Sequence, residues 1–362
     1  MTRAKILSVA TGVPPYCFQQ EEIAERMIEF LQLDGTRAAK LHRLYQNTKI
    51  EKRYSVLPDF KSPRASWGFW GSHYPDKAPT TLKRNQLYKE YAPQLAIETA
   101  ARALQEWGGD PKEISHVISI SCTGLMAPGM ECLLLKALQL RDSVDRLGIN
   151  FMGCFGAFKG LSIANSLFQA DTKRKILVVC TELCTLHMQA DQTANTLIGN
   201  SLFADGAAAV VIGEENGKSK GLWEIVNTGS HLIPDTFHEM TWDLGDTGFN
   251  MLLSQEVPAH IANLIIRFAD EVLDTISPSQ CAWAVHPGGK AILEVIQKKG
   301  SLLENQLQAS WEILRDYGNM SSATFLFVLN KLRTLQTQYP WALGLGFGPG
   351  LSVEGILLKT LS

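Results

Sequence analysis

The chain has 362 residues, enough for one large core or two packed ones, so it needs no disulfide or metal staples. Its 34 Lys and Arg stand against 36 Asp and Glu, a net charge of −2, which excludes the basic footprint of a nucleic-acid binder. The seven cysteines are odd in number and irregularly spaced, which argues against a secreted disulfide framework and leaves at least one thiol free. Met1 to Lys5 leads directly into the strand-like Ile6-Leu7-Ser8-Val9, unlike a signal peptide. The uncharged stretch from Leu147 to Phe158 is broken by three glycines and falls short of a membrane span. These features predict a cytoplasmic protein with no membrane span.

The predicted elements alternate. The least regular part runs from Pro58 to Thr81 and carries Trp67, Phe69, Trp70 and Tyr74. It reads as a surface loop packed by its own aromatics, or as a lid over a tunnel. Strands are predicted at Val117–Ser121, Lys175–Val179 and Ala207–Ile212, with helices at Met130–Leu138 and over Asp191–Ser201. Later come a helix from Val257 to Asp274, a strand at Cys281–Val285, and helices at Lys290–Lys298 and Ser321–Leu332. Strands at Ala342–Leu345 and Ser352–Leu358 close the chain. This is the order of an α/β protein. An offset of 165 residues superposes Ser121 on His286, Gly153-Cys154 on Gly318-Asn319, and the strand at Lys175–Val179 on residues 340–344. Three coincidences at one offset predict two copies of a common α/β unit.

Five groups of residues are candidates for chemistry. Cys154 follows Gly153 at the start of an apolar helix-like run, where a helix N-terminus would favour thiolate. His286 ends a buried strand ahead of Pro287-Gly288-Gly289 and could take the cysteine proton. Asn319, after Gly318, is either a helix N-cap or an amide donor to a developing oxyanion. The glycine-rich run from Leu343 to Gly350 lies between strands, so it reads as a tight turn near the site and not as a phosphate loop. Cys180, Cys184 and His187 have metal-like spacing but no fourth ligand, so core or pocket lining is expected there, and no metal.

Together with their motifs, Cys154, His286 and Asn319 resemble the catalytic triad of the type III polyketide synthases, the chalcone synthase-like family. His286-Pro287-Gly288-Gly289, Gly318-Asn319-Met320-Ser321-Ser322-Ala323, Leu202-Phe203-Ala204-Asp205-Gly206-Ala207-Ala208-Ala209 and Gly346-Phe347-Gly348-Pro349-Gly350 occur in the family's order. The resemblance implies a thiolase-like layered αβαβα fold of two duplicated halves. Residues 1–215 would carry the Cys, and residues 216–362 the His and Asn. It also implies a homodimer that takes a starter acyl-CoA and malonyl-CoA and needs no cofactor. By the same matching, Phe203 and Phe249 resemble gatekeepers between a CoA tunnel and a product cavity. Lys40 and Arg43 fall where the family contacts CoA phosphates, whereas the third basic position is Asn47, with Lys49 nearby. Cys122, Cys184, Met240 and Ser321 fall on the pocket wall. Ala127 stands where plant members project a methionine into the partner's cavity. An apolar, deformable cavity predicts an aliphatic starter and an alkylpyrone or alkylresorcinol product. The alternatives are a ketoacyl synthase III, disfavoured because its histidine motif resembles His-Gln-Ala-Asn, and a non-catalytic acyl-CoA binder, disfavoured by the intact triad.

Overall fold

The computed structural model describes residues 2–71, 78–215, 220–335 and 338–361. Tyr74 of the aromatic loop lies outside them. The first half begins with β1 (Lys5–Gly12), β2 (Tyr16–Gln19), α1 (Gln20–Phe30), α2 (Gly35–Asn47), β3 (Lys52–Ser55) and α3 (Thr81–Trp107). It continues with β4 (His116–Ser121), α4 (Met130–Ala137), β5 (Asp145–Asn150), α5 (Gly156–Ala170), β6 (Ile176–Leu183), α6 (Ala194–Leu202) and β7 (Asp205–Gly213). The second half opens on β8 (Trp223–Leu232), the hairpin β9 (Met240–Gly245) and β10 (Gly248–Leu253), α7 (Val257–Leu273) and β11 (Cys281–Val285). Then follow α8 (Lys290–Lys299), α9 (Glu304–Tyr317), α10 (Thr324–Thr334), β12 (Trp341–Gly348) and β13 (Ser352–Thr360).

Among the described residues nine strands form one mixed sheet in the order β11-β12-β13-β8-β1-β7-β6-β4-β5. Among the described residues the sheet passes from one half to the other where Lys5 and Ile6 of β1 pair with Glu224 and Trp223 of β8. Each half repeats one pattern. β4 lies parallel to β6 and β6 antiparallel to β7, just as β11 lies parallel to β12 and β12 antiparallel to β13. The predicted offset of 165 holds at the first residues of β4 and β11, and over the full length of β6 and β12. The repeat read from the sequence is therefore present in the topology.

Strand periodicity explains the layers, because successive side chains leave opposite faces. Leu177 and Val179 of β6 join a core with α3, whereas Ile176, Val178 and Cys180 join a central core with α5 and α10. In the second half Ala282 and Ala284 of β11 face that same central core, while Trp283 and Val285 pack with α7. The result is helix, sheet, paired helices, sheet, helix, the layered αβαβα arrangement that was expected. At its centre Phe158 of α5 stacks on Phe325 of α10 with ring centroids 4.0 Å apart.

Several boundaries differ from the sequence reading. The helix expected over Ser321–Leu332 begins as a short 3-10 turn (Ser321–Ala323), and α10 starts only at Thr324. Ser321 sits at φ +49°, outside helical space, and the Thr324 hydroxyl accepts the Met320 N–H at 2.8 Å. The predicted strand at Lys175–Val179 begins one residue later and extends to Leu183. The 27-residue α3 was not predicted. Its buried face is largely the small residues Ala92, Ala96, Ala100 and Ala103, and Pro93 interrupts its pattern, so no strong apolar stripe marks it.

The described part of the aromatic loop packs against α1 and against itself. Trp67 and Trp70 are buried against Phe30 and Phe60, with centroids 5.3–6.1 Å apart, and neither lines a cavity described below. Among the described residues no helix is long and apolar enough to cross a membrane. Phe325→Ala is expected to cost about 3–5 kcal/mol, because it empties the centre of the layered core. Chemical denaturation measures this, and a loss below about 1 kcal/mol would show that the central layer does not hold the halves together.

Candidate active site

Two tight turns build the site. Leaving β5, the chain reaches Gly153 at φ +75°, where a Cβ would lie 2.3 Å from Pro349 Cδ. Only glycine fits there, and Cys154 follows it on a 3-10 turn (Gly153–Phe155) leading into α5. At the equivalent place in the second half, Gly318 adopts φ +69°, and a Cβ there would meet the Leu202 carbonyl oxygen at 2.8 Å. Asn319 follows it. Packing of the two turns brings Cys154 Sγ to 4.0 Å from Asn319 Oδ1.

His286 comes directly after β11, and its backbone N–H donates to the Leu345 carbonyl at 2.7 Å. Its ring is buried, and neither ring nitrogen has a hydrogen-bond partner among the described residues. Asn319 Oδ1 accepts the Ser321 N–H at 2.9 Å, and Asn319 Nδ2 donates to the Gly288 carbonyl at 3.3 Å. The N-cap reading of Asn319 does not hold, since Met320 precedes the 3-10 turn and Ala323 precedes α10; the amide oxygen instead closes a local turn while the amide nitrogen carries the donors. Cys154, His286 and Asn319 all line one cavity of about 510 Å³, whose other walls include Ile198, Leu202, Leu253, Ala291 and Phe347.

Burial dominates the electrostatics. It pushes the Cys154 thiol up to about 12, aided by the nearby Glu182 charge and opposed by hydrogen bonding from Ser321 and Asn319. It pulls His286 down to about 3. Desolvation thus works against the thiolate that a helix N-terminus would favour.

Sequence reasoning missed Glu182, near the end of the wholly buried β6. Its Oε2 accepts the Cys122 N–H at 2.9 Å and the Thr123 hydroxyl at 2.8 Å, and its Oε1 accepts the Ser322 hydroxyl. Burial still raises its carboxyl to about 7. The one signal available was a carboxylate inside an otherwise apolar strand.

A second, tighter space of about 30 Å³ lies behind Cys154, roughly the share of one water in the liquid. Cys122, Cys184, Met240 and Ser321 all line it, as their predicted pocket role required. So does Trp242, which the sequence reading did not single out; its Nε1 donates to the Cys122 carbonyl at 2.8 Å. Phe203 lines both the large and the small cavity.

Phe249 lines neither of the cavities that reach Cys154; with Phe203, Cys184, Trp242 and Met251 it lines a neighbouring space of about 60 Å³. Its ring is stacked on His187 at 4.1 Å and edge-on to Trp242 at 5.7 Å. Met251, two residues further along β10 and on the same strand face, lines both cavities with Phe203 instead.

Lys40 and Arg43 are exposed on α2 and line none of these cavities. They sit one helical turn before Leu44 and Asn47, which do line the large one. Lys290, not singled out before, lines it too and pairs with Glu294 at 3.3 Å. His187 Nε2 donates to the Thr123 carbonyl at 2.7 Å, and its Nδ1 accepts the Phe249 N–H at 3.1 Å. Both nitrogens are thereby engaged. Among the described residues no group of three or more His, Cys, Asp or Glu could hold a metal ion.

Alkylation of Cys154 by iodoacetamide is expected to climb with pH beyond 9, without a plateau in the neutral range. Glu182→Gln removes a nearby negative charge and should move that profile to lower pH. A plateau below pH 8 in the parent protein would contradict the buried-thiol assignment. Glu182 also links stability to pH. Its raised folded pKa means a contribution fully present below its ordinary value of 4.5 and lost as pH rises through about 7. Glu182→Gln should flatten that loss in denaturation curves.

The chain matches the family model for the N-terminal domain of chalcone and stilbene synthases over residues 1–216, and that for the C-terminal domain over residues 224–362. It is 32% identical over 365 residues to a probable polyketide synthase 1 of Dictyostelium discoideum. That match covers 98% of this chain but 11% of the relative. The C-terminal type III polyketide synthase domain of Steely1, a type I/III hybrid from Dictyostelium, superposes with a TM-score of 0.94 at 31% identity over the whole of both chains. The brown-algal PKS-I of Ectocarpus siliculosus gives 0.90 at 32% identity, covering 99% of this chain and 98% of that one. CsyB complexed with CoA-SH gives 0.90 at 26% identity, over 99% of this chain and 100% of that one. The chain belongs to the chalcone and stilbene synthase family, the type III polyketide synthases, enzymes of Claisen-type condensation.

Proposed function

We propose that the protein loads an acyl-CoA starter on Cys154, extends it repeatedly with malonyl-CoA and then cyclises it. The observation that carries this is the convergence of Cys154, His286 and Asn319 on one largely apolar cavity. Cys154 transfers its proton to the neutral imidazole of His286, and the thiolate attacks the starter thioester and expels CoA. Malonyl-CoA next loses its carboxylate as CO₂, and the bonding pair passes into a thioester enolate. Asn319 Nδ2–H and the His286 N–H stabilise the enolate oxygen. An aspartate at 319 would repel it. The enolate carbon then bonds to the acyl carbonyl, Cys154 leaves as thiolate, and the extended chain returns to it for another round.

The apolar, pliable lining supports an aliphatic starter. The large cavity falls within the range that takes small-molecule ligands. The space behind Cys154 is bounded by Trp242 and lined by Cys122, Cys184, Met240 and Met251, side chains with few hydrogen-bonding groups to offer an aromatic starter's hydroxyl. The pliable Met240 and Met251 suit a flexible aliphatic chain. This favours alkylpyrone or alkylresorcinol products. Lys40 and Arg43 would meet CoA phosphates at the mouth, Lys40 as a point charge and Arg43 as a fork. Residues 1–215 and 216–362 are assigned as two halves of one catalytic unit. A homodimer is proposed through β5, an edge strand exposed over most of its length that presents Leu147 to solvent.

Cys154→Ala is expected to abolish loading and product while leaving some malonyl-CoA decarboxylation; an unchanged product yield removes the nucleophile assignment. Asn319→Ala should slow decarboxylation by about 10²–10³ and loading far less. Mass-spectrometric starter profiling should rank aliphatic acyl-CoAs above aromatic ones, with Trp242→Ala narrowing the gap. Aromatic starters leading in the parent protein would overturn the starter proposal. A single condensation that requires carrier-protein-bound malonyl would instead indicate a ketoacyl synthase III. No turnover with any acyl-CoA would indicate a binder.

A further inference from the structure

Behind the wall formed by Phe203 lies a buried cation that the proposed mechanism does not use. Arg53, on β3, is 5% exposed. Its Nη1 donates to two carbonyls at the C-terminal end of α6, those of Asn200 at 2.8 Å and Phe203 at 2.6 Å. Its Nε donates to Gln20 Oε1 at 2.8 Å, and Gln20 Nε2 donates in turn to the Ser201 carbonyl in the same segment, also at 2.8 Å. Three of the last carbonyls of one short helix are therefore held by two buried side chains.

That segment is the backing of Asn319. The Asn319 N–H donates to the Leu202 carbonyl and its carbonyl accepts the Ala204 N–H, both at 2.9 Å, so Phe203 and Asn319 form an isolated parallel bridge. The aliphatic stem of Arg53 also presses on the turn itself, since a Cβ on Gly318 would fall 3.0 Å from Arg53 Cδ. One residue thus touches the segment on the cavity side of Asn319 and the glycine that precedes it. Burying a guanidinium is expensive, and well-packed apolar residues often do as well or better for stability alone. What an apolar residue cannot do is fix two carbonyls in a defined direction, and a lysine lacks the fork to hold both them and Gln20.

We propose that Arg53 is a positioning residue for decarboxylation. It anchors the Phe203 segment, whose backbone pairing sets the amide of Asn319 beside Cys154. This rests on Asn319 being the donor to the enolate. The loading step depends on Cys154 and His286, which Arg53 does not touch, so removing Arg53 should separate the two half-reactions. A small displacement of a catalytic group is enough for a large loss of rate.

The test compares Arg53→Met, Arg53→Lys and Asn319→Ala in the full chain. Acylation of Cys154 by octanoyl-CoA is followed by intact mass, and CO₂ release from malonyl-CoA is followed separately. Arg53→Met should lower the kcat of decarboxylation by about ten- to a hundredfold, with acylation per folded molecule within about threefold of the parent. Arg53→Lys should restore part of the loss. Parallel loss of both steps, or no loss of decarboxylation, overturns the inference. Loss in Asn319→Ala with none in Arg53→Met overturns it alone, whereas no loss in Asn319→Ala removes the reading beneath it. If Arg53→Met does not fold, Gln20→Leu, which frees Arg53 Nε and the Ser201 carbonyl, should show the same split at smaller size, and its absence counts against the proposal.

Discussion

The stacking of Phe158 on Phe325, at 4.0 Å, marks the contact on which the rest of the molecule depends. It lies between α5 and α10, the paired helices that both sheets cover. Each helix begins just after a glycine turn with positive φ, and the two turns occupy equivalent places in the repeat. When the helices pack side by side with those ends together, Cys154 and Asn319 meet. The site is therefore a consequence of pairing the two halves, and neither half holds it alone.

The site's chemistry is set by how dry this junction is. Burial keeps Cys154 as thiol and His286 neutral, and it holds Glu182 near a carboxyl value of 7 despite several hydrogen-bond donors. A thiolate standing in water would be ready but unselective. Here burial opposes charge on both Cys154 and His286. The same dryness strengthens any amide N–H aimed at a developing oxyanion, since no water competes for it. Glu182 lies on the other side of that balance, because its charge works against the neighbouring thiols.

Much of this was legible in the sequence. The offset of 165 residues foretold the topology, because corresponding strands of a repeat keep their spacing when the connections between them keep their length. Cys154, His286 and Asn319 could be picked out because each follows a glycine or ends a buried strand. Cys122, Cys184, Met240 and Ser321, which the family motifs point to as pocket wall, line one space together. Phe249 lies outside that space. Strand periodicity puts it on the same face as Met251, and only the stacked His187 ring decides that the phenylalanine is sealed one position deeper. Glu182 and Arg53 escaped notice for a related reason, since each is a lone charge whose partners come from distant segments.

The sequence by itself determined the elements, their repetition and the identities of the reactive groups, because helix and strand periods, glycine turns and family motifs are local properties. The tertiary structure decided the desolvation of the site, the placing of Met251 at the cavity wall and of Phe249 against His187, and the narrowness of the space behind Cys154. Those depend on desolvation and on side chains brought together from more than a hundred residues apart, such as Trp242 on the Cys122 carbonyl and Arg53 on that of Phe203. No local pattern encodes such distances. They exist only once the core has closed.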